Sequence, residues 1–234
     1  MAYLLDSVQY LIMTGRIVQT SAGQSNAAQP AGVGRPKVSS RQMIEDAAAE
    51  LFIENTYAGT TIDQVTTRAG VSRATFFNYF GAKSDLLWFE VDRVIDSLRD
   101  ACSEASVSGN LDSVRDVVLA LAAEFDERRV PLALTQSDVM GAADEIVQSG
   151  LLRIAAQARI FAAFFAARSA RHHDDLIVRT GANALAGAVS AAWLTWARAG
   201  IGRSPLQGYM AESVDVVFPG IRAAFEDVRR GNSF

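Results

Sequence analysis

Arg73, Thr75, Phe77, Asn78 and Tyr79 crowd into a seven-residue stretch and offer a guanidinium fork, hydroxyls, an amide and two aromatic faces. That set suits the surface of a nucleic-acid duplex. The fork of Arg73 matches O6 and N7 of a guanine, and the ring of Phe77 can meet a thymine methyl. Thr75 and Tyr79 suit phosphate oxygens, as do Thr61 and Lys83 on either side, while Asn78 can serve either purpose. The plainer alternative is that Phe77 and Tyr79 pack a small domain.

The elements that must position these residues are written around them. Thr61 can cap a helix, and Gln64, three residues later, completes a capping box. Ile62, Val65 and Ala69 then form a short apolar stripe, and Gly70 permits a tight turn before the apolar Val71. Ser72 caps a second helix in which Phe76 and Phe80, four residues apart, face inward. With those two inward, Arg73, Thr75, Phe77, Asn78 and Tyr79 fan over the remaining faces. Two short helices joined by a glycine turn predict a helix-turn-helix whose second helix can enter the DNA major groove.

The run Val71-Ser72-Arg73-Ala74-Thr75-Phe76-Phe77-Asn78-Tyr79-Phe80, followed by Lys83, resembles the recognition segment of the TetR family of bacterial transcriptional regulators. The likeness extends from Arg41 to Leu87. Thr66 departs from it, standing where the family has alanine, and Gly81-Ala82 replace its usual proline and serine. The resemblance implies a cytoplasmic homodimer, most simply a repressor, that binds a palindromic operator and answers to a small effector without a cofactor. Ahead of it, Gly32-Val33-Gly34-Arg35-Pro36-Lys37 resembles the family's basic arm, so Arg35 and Lys37 are candidates for the DNA backbone or minor groove. A solvated linker is the alternative there.

Composition sets the frame. Across 234 residues, half are hydrophobic and 21% charged, ample for a buried core and wrong for a disordered chain. The net charge of −4 is unusual for a DNA-binding protein, but Arg68, Arg73 and Lys83 occur in a stretch without an acid. Counterion release depends on the contacting face and not on the total. Cys102 is the single cysteine, which excludes an intrachain disulfide and a cysteine-rich zinc cluster and fits a reducing cytoplasm; a redox sensor is its sharper reading. Arg153, Arg159 and Arg168 interrupt the most apolar stretch, so no run reaches the ~18 apolar residues of a membrane span.

Residues 1–34 read as a flexible tail or an over-extended start, since a stretch rich in Ala, Gly, Ser, Gln and Pro follows a short apolar segment. Asp6 and the lack of a basic leading region argue against a secretory signal. Residues 35–85 form the expected DNA-binding domain and residues 86–234 a helical effector-binding and dimerisation domain. Helical periodicity predicts elements over residues 40–55, from Lys83 to about 105, and over 111–129, 142–149, 150–170, 175–199 and 206–230. No stretch alternates as a strand does, so the fold class is all-α, with about nine helices.

In the apolar second half, Phe125, Phe161, Phe165 and Trp193 are candidates to line an effector cavity, with Gln157 or Arg159 as polar anchor. Aromatic spacing of this kind equally suits a plain core. Leu185, Val189, Trp196, Val214, Val217, Phe218 and Ile221 are candidates for a four-helix dimer seam, with intramolecular packing as the alternative. This half also resembles regulators that bind acyl-CoA-type ligands, in particular those of mycofactocin systems. His172-His173-Asp174-Asp175 invites a metal, but adjacent residues on a helix diverge by about 100°, and a helix junction suits capping; no metal is expected. No catalytic constellation is present in the pattern, so an enzyme is not expected. The competing function is a helical sensor whose helix-turn-helix binds protein instead of DNA.

Overall fold

The computed structural model describes residues 39–126, 130–200 and 202–229, all within one compact unit. Among them are nine α-helices, one 3-10 turn and no strand. The first three helices are α1 (Ser40–Gly59), α2 (Ile62–Ala69) and α3 (Arg73–Phe77). The 3-10 turn Lys83–Leu87 leads into α4 (Phe89–Ser108). The remainder are α5 (Ser113–Glu124), α6 (Leu132–Thr135), α7 (Ala143–Ser169), α8 (Leu176–Arg198) and α9 (Leu206–Arg229).

Local chemistry sets the small helices. The Ser39 hydroxyl accepts from the Gln42 N–H at the start of α1. Thr61 and Gln64 close the capping box at α2, Gly70 ends that helix at φ +67°, and Ser72 caps α3 by accepting from the Thr75 N–H. Ile44, Leu51, Phe52, Val65, Phe76 and Phe80 form the shared core of α1–α3. Thr66 fits where a smaller residue was expected because its hydroxyl donates to the Asp63 carbonyl at 3.1 Å.

α1 carries a break at Thr56, whose φ of 65° is unusual for a β-branched residue. Three contacts hold it. The Thr60 hydroxyl donates to the Thr56 carbonyl at 2.8 Å, the Gly59 N–H donates to the Thr56 hydroxyl, and the Tyr57 N–H donates to the Met140 carbonyl at 2.6 Å. The last bond ties α1 to the segment before α7.

The larger part is a bundle of α4–α9 around Phe161, Phe165, Leu185, Trp196, Val214 and Phe218, all buried. Gly181 lets Phe165, Ile221 and Phe225 close on α8. The 27-residue α7 corrects the expectation of two helices meeting at Gly150. Gly150 faces Trp88 there, and an added Cβ would stand 3.2 Å from that ring. By length and composition alone α7 would pass for a membrane-crossing helix, despite its arginines. Its Phe161, Phe164 and Phe165 instead pack into the core.

Candidate nucleic-acid interface and effector cavity

Short α3 fixes which side chains remain outside. Phe76 is fully buried and Phe80 nearly so, whereas Phe77 and Tyr79 are 46% and 45% exposed, with Arg73 and Asn78 also outside and Thr75 half-buried. Exposed large aromatics beside an arginine, an amide and two hydroxyl-bearing caps form a surface suited to a duplex groove. Thr61 is exposed at the start of α2, its hydroxyl joined to Gln64.

The electrostatics differ from the count of local cations. Arg68 is clamped by Glu50 at 3.0 Å and Glu54 at 2.9 Å. A hydrogen bond from Arg68 holds the Glu54 carboxyl below its ordinary range. Lys83 turns inward: its ammonium donates to the Tyr57 carbonyl at 2.8 Å and the Thr60 carbonyl at 2.9 Å, over the Tyr57 ring. This corrects its expected role at a phosphate, for the ammonium closes the carbonyl end of α1. Burial lowers its pKa from the ordinary lysine value. Arg73 stays at the surface, held by Asp63 and lying 5.5 Å over the Phe77 ring. Arg35 and Lys37 lie outside the described residues.

Between α3 and α4 the chain lacks the serine cap that the family pattern would supply at Ala82. Asp85 replaces it from within the 3-10 turn, its Oδ2 accepting the N–H groups of Gly81 and Ala82, each at 3.0 Å. Further along, Glu45 of α1 is buried and joined to Arg41 at 2.9 Å and Arg93 of α4 at 3.2 Å. α4 is thus fixed to the three-helix unit by polar contacts.

α4, α5, α7, α8 and α9 enclose a cavity of about 300 Å³. Ile95, Leu98, Val118, Ile154 and Met210 contribute to an almost wholly apolar wall. Arg153, Gln157, Ser190 and Arg198 supply its polar groups. Val147 and Leu151, 66% and 62% exposed, and Leu194 also line it.

Of the expected lining residues, Gln157 and Trp193 reach this cavity. Phe125 stands outside the wall, edge-on to Trp193 and Trp196. Phe161 is in the core, and Phe165 packs on Phe225. Arg159 is exposed, because two residues along a helix turn a side chain by about 200° from Gln157. The overlooked residues are Arg153, one helical turn before Gln157, and Trp88, at the head of α4. The i, i+4 relation of Arg153 to Gln157 was the available signal.

Leu185, Val189, Trp196, Val214, Phe218 and Ile221 are buried inside the single chain, and only Val217 among the expected seam residues is partly exposed. Packing of α8 on α9 within one chain consumes that face. The outer faces of the two helices instead present Gly187, Ala191 and Leu194, and Val216 and Gly220. His172, His173 and Asp174 occupy a turn, where the two histidine rings and the carboxylate converge on the surface, while Asp175 caps α8. The divergence expected on a helix does not apply there. Cys102 is buried, which pushes its thiol up to about 12 and away from redox reactivity.

Residues 44–87 match the model of bacterial regulatory proteins of the tetR family, and residues 109–222 match the MftR C-terminal domain. Among curated proteins, the chain is 25% identical over 167 residues to the mycofactocin biosynthesis transcriptional regulator MftR of Mycobacterium tuberculosis, covering 71% of this chain and 84% of that one. The transcriptional activator FasR of Mycolicibacterium smegmatis is 28% identical over 103 residues, covering 42% and 47%. Among solved structures, FadR of Thermus thermophilus in complex with lauroyl-CoA aligns at a TM-score of 0.50 and 24% identity, covering 77% of this chain and 94% of that one. The repressor NalD of Pseudomonas aeruginosa aligns at 0.51 and 21%, covering 77% and 96%.

Proposed function

Because the chain belongs to the TetR family of transcriptional regulators, we propose that it acts in the cytoplasm as a homodimeric repressor. Its α2–α3 unit reads a palindromic operator, and a small hydrophobic or acyl-type effector in the α4–α9 cavity releases it. The observation that carries this reading is a single element, the turn into α4, that touches both the DNA-facing unit and the cavity wall.

Arg73 reaches base edges, Phe77 and Asn78 sit beside it, and Thr61, Thr75 and Tyr79 hold the backbone. Two copies of α3 must lie about 34–36 Å apart to fill successive half-sites. The effector prefers the conformation in which that spacing is wrong, so its binding shifts the population away from DNA. Arg153 already has two carboxylate partners, so the buried part of the effector is uncharged, and a polar head lies at the rim beside Arg198.

Footprinting the region upstream of the chain's own gene tests this, together with a thermal-shift screen of acyl-CoAs and hydrophobic acids. A protected palindrome, lost on adding a compound that stabilises the protein, is the expected result. The exposed Phe77 and Tyr79, beside cations already paired, favour one second reading, a protein-binding helix-turn-helix. Absent or salt-insensitive DNA binding would select it.

A further inference from the structure

Asp85 belongs to two networks at once. Through Oδ2 it receives the Gly81 and Ala82 N–H groups at the exit from the recognition helix. Through Oδ1 it receives Arg153 Nη2 at 2.9 Å. Arg153 also donates from Nε and Nη2 to Asp92, at 3.0 and 2.9 Å, and lies over the Trp88 ring. Its side chain is only 11% exposed and forms part of the cavity wall.

A continuous line of short contacts therefore runs from the cavity to two main-chain amides just beyond Phe80. Trp88 is pinned on the α7 side, since its Nε1 donates to the Ser149 hydroxyl at 2.7 Å and Gly150 lets the ring close against the helix. Arg153, which also donates from Nη1 to the Ser149 carbonyl at 3.3 Å, is the polar group of this wall that reaches Asp85. Ala82 has no capping side chain of its own, so the two amides depend on a carboxylate whose position Arg153 sets.

We propose that Asp85 and Arg153 form a relay in which filling the cavity loosens the exit of the recognition helix. A ligand that takes the space of the Arg153 guanidinium withdraws it from Asp85. The carboxylate, half released, no longer holds Gly81 and Ala82, and the orientation of α3 against α4 loosens. Arg153 and Asp85 are positioning residues; Asp92 shares the same guanidinium but caps nothing at this junction, so it acts on the two amides only through Arg153. The relay is the coupling element between two sites, each able to bias it.

Amide hydrogen exchange on the full chain tests this directly. Arg153→Gln should speed exchange at Gly81 and Ala82 by about tenfold, within the usual range of coupling between sites. Asp92→Asn, which keeps an oxygen acceptor for Arg153, should change both amides less than Arg153→Gln does. In the same preparations, Asp85→Ala and Arg153→Gln should each weaken binding to the footprinted operator by a similar factor, and the double variant by no more than either. Unchanged exchange in Arg153→Gln, equal effects in Asp92→Asn, or additive losses in the double variant would each overturn the relay. Should Arg153→Gln fail to fold, Arg153→Lys, which keeps the charge but cannot fork between Asp85 and Asp92, must speed the same amides or the proposal fails. The inference rests on α2–α3 reading DNA for its affinity arm only. A wild-type chain that protects no DNA defeats that function, while the exchange measurement still decides the relay.

Discussion

In the α1–α3 unit, Thr61, Gly70 and Ser72 set where each short helix starts or stops, and ion pairs from Arg68 of α2 and Arg93 of α4 tie those helices to α1. In α7–α9 the same work falls to Phe161, Phe165, Leu185, Trp196 and Phe218, with Ser213 donating to the Ala188 carbonyl as one of few polar ties. The first region is specified by directional groups, the second by volume. Directional groups tolerate little change in identity. Volume tolerates change in identity but not in size.

Deleting volume should be the severest test of that contrast. Phe165→Ala, in the core against Phe225, should cost about 3–5 kcal/mol of unfolding free energy by denaturant titration. A loss below 1 kcal/mol would mean that the bundle repacks, and the contrast would fail. Next in size, Arg73→Ala should weaken operator binding by about 1–3 kcal/mol and relax specificity while leaving dimerisation unchanged, as read by binding titration and sedimentation. Equal affinity for wild-type and altered sites in both proteins would remove Arg73 from base readout.

A smaller effect should come from the cap. Thr61→Ala removes the acceptor of the Gln64 N–H and should lower stability by about 1 kcal/mol, seen as a shift in denaturant midpoint without a change in slope. The smallest is confined to alkali. Burial raises the Cys102 thiol from 9.0 to about 12, so its contribution to stability is whole below pH 9.0 and lost as pH rises towards 12. A thiol reagent at pH 8 should label Cys102 only after unfolding. Rapid labelling of the native protein would show that the α4 core opens readily.

The unequal means of construction explain what could be read beforehand. Caps, the glycine turn and the Phe76–Phe80 spacing each leave a local mark, and the helix-turn-helix followed from them. Nothing local marks the inward turn of Lys83, since its partners, the Tyr57 and Thr60 carbonyls, lie more than twenty residues away in sequence. Arg68 looked free for the same reason, its acids being on α1. In the bundle, periodicity identified apolar faces but not which neighbour each would meet. Phe161 and Gln157 share a stripe of α7, yet one is in the core and the other lines the cavity. Gly150 looks like a boundary in the sequence because its neighbour in space, the Trp88 ring, is distant along the chain.

The hydrogen bond from the Tyr57 N–H to the Met140 carbonyl joins the three-helix unit to the segment before α7 using main-chain atoms alone. Any residue except proline at position 57 could supply that donor, and any residue at all at 140 the acceptor. The junction between the three-helix unit and the bundle is therefore insulated from drift in side chains at this point. Such a joint would let one half be exchanged for a relative's while the seam between them keeps its register.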